Sequence, residues 1–142
     1  MIVPLLSSVL LSIGMITATV QDIRFHTIPN AVYVLLLAGG VCSLVPLSLS
    51  AIAERLLFAL LIGLAMLFVA VKTDQLGGGD VKMIACLAFY FAPIVTLYAL
   101  MAACCIALLY CLGYRLIKKA KPQSFAFAPF LTVAYAVTTI LI

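Results

Sequence analysis

Two carboxylates in a chain with almost no other acids are where chemistry has to be sought. The sequence of 142 residues holds 4 Asp and Glu in all, against 68% hydrophobic residues. Asp80 stands in Leu76-Gly77-Gly78-Gly79-Asp80-Val81-Lys82, at the mouth of a long apolar run. Asp22 closes a much earlier apolar run, in Asp22-Ile23-Arg24-Phe25-His26-Thr27-Ile28-Pro29-Asn30. Two carboxylates a few Å apart cannot both ionise easily, so they share a proton and titrate as a pair. The ionised member can take a proton from water while the protonated member donates to a scissile carbonyl. Peptide hydrolysis by this route needs no metal and no nucleophilic side chain. Other hydrolytic equipment is missing: there is a single His, no HExxH and no G-x-S-x-G.

Each acid also has a plainer reading. An Asp ahead of a helix accepts backbone N–H bonds and complements the positive end of the dipole. That accounts for Asp80 but not for Gly77, Gly78 and Gly79. Three glycines permit positive φ and leave no side chains above the backbone, which suits close approach of another chain. A phosphate loop fits poorly, because G-x-x-x-x-G-K-[ST] is absent and Asp80 would repel an anion. Asp22 alone reads as a solvated boundary residue beside Arg24. Ile28-Pro29-Asn30 reads as a helix start, with Pro29 at the opening turn and the residue before it extended, so 22–27 becomes a short constrained connection. His26 reads as an interfacial side chain, and Glu54 and Asp74 as solvated boundary charges. Lys82 either snorkels to the interface or sits close enough to hold Asp80 ionised.

The elements that must position these acids lie in a membrane. A mean hydropathy of +1.38 is far above that of a soluble domain, in which roughly half the residues are apolar. The net charge of +4 is not a nucleic-acid signal, because the basic residues fall in the gaps between apolar runs. The N-terminus lacks the basic region of a cleavable signal peptide, so the first run reads as a retained span. The five cysteines (Cys42, Cys86, Cys104, Cys105, Cys111) all lie in apolar runs without C-x-x-C spacing, which suggests packing and neither a disulfide framework nor a metal site. No cofactor is called for.

A span needs about 20 apolar residues. Runs at 2–20, 31–47 and 56–71 supply three. The stretch 81–117 would reach roughly 55 Å as one helix, nearly twice a hydrocarbon core of about 30 Å, so it must fold back. Ala92-Pro93 is the natural break, giving spans four and five. The run 125–142 makes a sixth. With six spans, gaps one, three and five share a side and hold Arg24, Lys72, Lys82, Arg115, Lys118, Lys119 and Lys121, whereas the other side has only Arg55. That bias makes the odd gaps cytoplasmic and puts both termini outside. The expectation is an all-α polytopic membrane protein, one domain over 1–142, with Asp22 and Asp80 both at the cytoplasmic face. Small-residue seams (Gly14 with Ala18; Ala59 with Gly63; Ala99, Ala103 and Ala107) suit helix contacts.

Taken together, Asp22-x5-Ile28-Pro29-Asn30 and Gly77-x-Gly79-Asp80-x-Lys82 resemble the type IV prepilin peptidases, which are membrane aspartic proteases. The resemblance covers essentially the whole chain, and the compact layout is similar to the short form of tight-adherence type pilus systems. The GxGD element alone is shared with presenilin-like and signal-peptide-peptidase-like proteases, which are far longer. The resemblance implies that Asp22 and Asp80 are the catalytic pair and that Gly77, Gly78, Gly79, Lys82 and Pro29 surround it. The implied substrate is a prepilin or pilin-like protein with a short basic leader ahead of a hydrophobic helix. It would be cut at the cytoplasmic face of the inner membrane, typically after a glycine. Two departures stand out. Long-form members carry a cytoplasmic insertion with two C-x-x-C pairs and also N-methylate the trimmed pilin with S-adenosylmethionine; no such insertion occurs here. Near the last span the family's P-F-G-P-[FY]-like stretch reads Ala126-Phe127-Ala128-Pro129-Phe130, to which only a shaping role for Pro129 is assigned. A small ion-coupled transporter or channel subunit is the rival reading, and it would want acids near the bilayer midplane. A scaffold held by the small-residue seams is a third.

Overall fold

A computed structural model describes residues 2–73, 77–118 and 126–141. Every element among them is helical: α1 (Ile2–Phe25), α2 (Asn30–Leu44), α3 (Leu49–Thr73), α4 (Gly78–Tyr90), α5 (Pro93–Lys118) and α6 (Ala128–Leu141). Asp74, Leu76, Lys119 and Lys121 lie outside the described residues.

Three helices are long and apolar enough to cross a membrane, over Val3–Phe25, Leu49–Lys72 and Pro93–Leu116. The other three are shorter: α2 has 15 residues, α4 has 13 and α6 has 14. At about 1.5 Å per residue these reach only about 20–22 Å, well short of a hydrocarbon core of about 30 Å. Proline sets several of the boundaries. Pro93 begins α5 after an extended Phe91, where the break was expected. Pro29, extended at φ −67 and ψ 147, is the residue just ahead of α2, one position earlier than the opening turn expected for it.

Sequential neighbours pack in pairs, α1 on α2, α3 on α4 and α5 on α6, and the pairs are joined through α2 with α4 and α1 with α6. On α1 the buried positions are Ser7, Leu11, Gly14, Met15, Ala18 and Asp22. That recurrence every three or four residues is one stripe of a helix. Asp22 therefore points inward for the same geometric reason as Leu11. On α5 the buried stripe is Thr96, Ala99, Ala103 and Ala107. Small side chains there let α6 approach closely, as helix contacts in lipid require. Gly14 and Gly63 play the same part, facing Leu36 of α2 and Ala85 of α4. Outside the core, Leu5, Leu57, Phe68, Met101, Leu108 and Ile140 are exposed, an apolar exterior suited to lipid.

The helix ends gather at two places. The C-terminal end of α1 and the N-terminal ends of α2, α4 and α6 converge at one end of the bundle. The N-terminal end of α1, the C-terminal ends of α2 and α4, and the N-terminal parts of α3 and α5 converge at the other.

Candidate active site

The connection between α1 and α2 is tighter than the sequence suggested. Helix α1 runs on through Asp22 to Phe25, with Arg24 in its last turn. A cation there complements the negative end of the dipole, which favours continuing the helix past the expected stop at Val20. His26 then takes φ 50, the left-handed region, while its N–H donates to the Asp22 carbonyl at 3.0 Å. A residue in that conformation just past a helix end reverses the chain. The connection is thus 26–29, and Asp22 belongs to the rigid helix before it.

Asp80 is the third residue of α4, behind an extended Gly77 and two helical glycines, Gly78 and Gly79. None of the described glycines has positive φ. The expectation that this triplet supplies left-handed backbone is corrected: its use lies in the missing side chains. A Cβ on Gly79 would come 3.0 Å from the Tyr33 hydroxyl oxygen. That hydroxyl donates to the Gly79 carbonyl at 3.1 Å, tying the opening turn of α4 to α2. A Cβ on Gly78 would meet nothing within 4 Å, because that residue faces open space.

Both acids line one cavity of about 300 Å³. The 26–30 stretch lines it with His26, Thr27, Ile28 and Asn30, α2 with Tyr33, and α4 and the turn before it with Gly77, Gly78, Gly79 and Lys82. Residues far apart in sequence are brought together as expected. Pro29 is the exception: it shapes the connection without lining the cavity. Lys82 holds its ammonium 5.7 Å from the centroid of the Tyr33 ring, within cation–π range. Among the described residues no cluster of His, Cys, Asp and Glu could hold a metal ion.

The surroundings of the two carboxyls differ. Asp22 is buried, and its Oδ2 accepts the N–H of Ala128, the first residue of α6, at 3.0 Å. Asp80 is only partly buried, just ahead of the apolar run of α4 and outside the three long candidate spans. Burial pushes its pKa up from 3.8 to about 7; the nearby charge of Asp22 adds to this, and an N–H bond from Gly77 opposes it. Near neutrality the Asp80 carboxyl is therefore divided between its acid and its anion, as a proton donor or acceptor working at that pH should be.

With this geometry in view, the comparison with known families is informative: residues 9–112 match the type IV leader peptidase family. The chain belongs to that family. It is a membrane peptidase at family level, and the match spans Asp22, the connection, Tyr33, the glycine triplet and Asp80. Searches of curated proteins and of solved structures find no match. Two contributors to the site were missed in the sequence. Tyr33 lies one helical turn beyond Pro29, so the α2 start already placed it on the side facing the connection. Ala128 sits in the stretch noted for its Pro129, but only folding shows that its backbone is what matters.

Proposed function

We propose that this chain is an aspartic endopeptidase in which Asp22 and Asp80 hydrolyse a peptide bond together. The substrate on this reading is a prepilin or pilin-like precursor with a short basic leader ahead of a hydrophobic helix. The observation that carries the reading is that the two acids, remote in sequence, line one cavity at the end of a lipid-compatible bundle. Family membership supports it, since leader removal is the family's business. So does the charge asymmetry: a basic leader waits on the cytoplasmic side, where the positive-inside rule puts both acids.

On this reading all six helices cross the bilayer with both termini outside, in the cytoplasmic membrane of the cell. The two clusters of helix ends support that alternation, since consecutive helices turn back at opposite ends of the bundle. The three short helices then leave the cavity recessed from the cytoplasmic surface. Water enters from the cytosol, one carboxylate removes a proton from it, and the other carboxyl protonates the scissile carbonyl oxygen. A substrate helix must unwind locally to present its bond there.

The test is co-expression with a prepilin from the same genome, scoring leader removal by a mobility shift. Asp22→Asn and Asp80→Asn should each insert normally and leave the precursor uncut. Full cleavage by either variant would end the proposal.

A further inference from the structure

Far from the acids, a cation stands inside an apolar helix with no acid against it. Arg55 is the seventh residue of α3, roughly 9 Å along the axis from Leu49 at about 1.5 Å per residue. A charge within a span is costly and persists where other groups meet it. A snorkelling arginine reaches out to water. This one is half-buried and turned onto the end of α4, where its Nη1 donates to the Tyr90 carbonyl at 2.5 Å. A guanidinium carries five N–H donors, so that bond leaves four. Arg55 makes no other hydrogen bond and no ion pair among the described residues, and the neighbouring Glu54 is exposed. Arg55 also lines a cavity of about 350 Å³ at the end of the bundle opposite Asp22 and Asp80, and no Asp or Glu among the described residues lines it. Ser7, Ser43 and Tyr90 bring hydroxyls to the same cavity. Ser7 Oγ donates to the Pro4 carbonyl at 2.9 Å, and the shorter bond of Ser43 Oγ goes to the Gly40 carbonyl at 2.7 Å, so both serine protons are engaged within their own helices. The Tyr90 hydroxyl is 3.4 Å from Ser7 Oγ, beyond the length of a firm O–H···O bond, and its proton is available.

We propose that this cavity is a phosphate site, in which the free N–H groups of Arg55 and the hydroxyl of Tyr90 donate to the anionic oxygens of one phosphate group. The lining offers donors and a positive charge without an acid, and the ligand that answers it is an anion made only of acceptors. A planar guanidinium meets such an anion through two parallel bonds. Between low-dielectric walls it also gains the counter-charge that the protein does not provide. A phospholipid headgroup and a free phosphate ion present the same oxygens. The headgroup has apolar surface at hand for its chains: exposed Leu5 adjoins Pro4 and exposed Leu56 adjoins Arg55, both in the cavity lining. On the six-span reading this end of the bundle faces away from the cytosol. Because Arg55 belongs to α3 and Tyr90 to α4, a phosphate held by both braces one helix against the end of the other. The site does not depend on what the two acids cleave.

The test is a titration of the full chain in detergent, read by native mass spectrometry, with three probes: dioleoyl phosphatidylglycerol, dioleoylglycerol and inorganic phosphate. Dioleoylglycerol has the same chains and no phosphate, and it should bind at least about tenfold more weakly than phosphatidylglycerol. Arg55→Met should weaken phosphatidylglycerol by about 10- to 100-fold, as loss of a hydrogen bond to a charged group implies. Arg115→Gln removes an exposed cation near the far end of α5 and should leave that affinity unchanged, which separates a built site from the pull of any positive charge on an anionic lipid. Inorganic phosphate that binds with the same dependence on Arg55 upholds the site and makes its source soluble. Phosphatidylglycerol that binds so while inorganic phosphate does not makes the source the headgroup. If neither phosphate probe binds in a manner that depends on Arg55, the proposal is overturned. Should Arg55→Met not fold, Tyr90→Phe decides, since it keeps the ring and the carbonyl that Arg55 meets. Loss of the hydroxyl should weaken binding of the phosphate probe about tenfold, and an unchanged affinity overturns the proposal.

Discussion

At one end of the bundle helix N-termini face acids: the Ala128 N–H of α6 meets Asp22, and Asp80 sits in the first turn of α4. At the other end a helix C-terminus faces a cation, with Arg55 Nη1 donating to the Tyr90 carbonyl of α4 at 2.5 Å. Ser43 Oγ adds a longer bond of 3.5 Å to the same carbonyl, and Ser7 Oγ lies 3.4 Å from the Tyr90 hydroxyl. Both ends enclose space, a cavity of about 300 Å³ beside the acids and one of about 350 Å³ beside Arg55. The difference is in what the polar groups do. Arg55 is matched to a carbonyl that would otherwise keep only the longer Ser43 bond where the chain breaks at Phe91, so this end of α4 is closed chemically. The two acids meet one described backbone donor each, Ala128 and Gly77, and both line the open cavity. The same helix α4 is thus held by Arg55 at its C-terminus and lines the acid-bearing cavity at its N-terminus.

The sharpest way to break this comparison is to neutralise one residue at each end. Asp80→Asn or Asp22→Asn should cut leader cleavage by at least the 10²–10⁴-fold typical of general acid–base groups, with insertion intact. Arg55→Met keeps the length and apolar stem but leaves the Tyr90 carbonyl only the longer Ser43 bond. It should cost about 1–3 kcal/mol of stability, read by thermal unfolding in lipid, with the activity of each folded molecule retained. A large loss of turnover in well-folded Arg55→Met would show that the two ends are not separable.

A smaller effect separates function from stability at Asp80 itself. Its pKa is about 7 when folded against an ordinary 3.8, so between those values the native state binds more protons than the unfolded chain. Stability then falls as pH rises through that window and levels above it, the opposite of a salt-bridged carboxylate. Asp80→Asn has no such group to ionise. It should match the parent near pH 4 and exceed it in thermal stability near pH 8, while cleavage by the parent declines as pH passes about 7. Equal pH dependence in the two proteins would mean that the folded environment of Asp80 is not what burial makes it.

Much of this was readable from residue types, and what was not has identifiable causes. The two acids announced themselves because an ionisable group bordering an apolar run is costly without a purpose. Pro93 and Pro29 announced the breaks they make, since proline removes an N–H whatever the surroundings. Helix lengths were less legible. Hydropathy reports an apolar environment, and runs at 31–47 and 125–142 look like full spans although α2 stops at Leu44 and α6 begins at Ala128. The glycines misled for a related reason. Their composition says that a side chain is unwelcome but not whether conformation or contact forbids it. Here contact does so at Gly79, whereas the one positive φ among described non-glycine residues falls to His26. The Ala128 N–H was invisible because a backbone donor has no letter in the sequence.

The finest test of the comparison lies inside the glycine triplet, where two adjacent residues should behave differently. Gly78→Ala adds a methyl to open space in the first turn of α4 and lowers the entropy of the unfolded chain. It should be neutral or stabilising by up to about 1 kcal/mol. Gly79→Ala places its methyl 3.0 Å from the Tyr33 oxygen, so either Tyr33 or the turn carrying Asp80 has to move by a few tenths of an ångström. That shift should lower cleavage more than stability. Tyr33→Phe removes the oxygen that clashes, at about 0.5–1.5 kcal/mol for the lost hydrogen bond to Gly79. Because the two residues touch, their effects cannot be additive: the double variant should cleave better than Gly79→Ala alone. Additive losses in that cycle would mean that Tyr33 does not position Asp80 and that the first turn of α4 is held by something else.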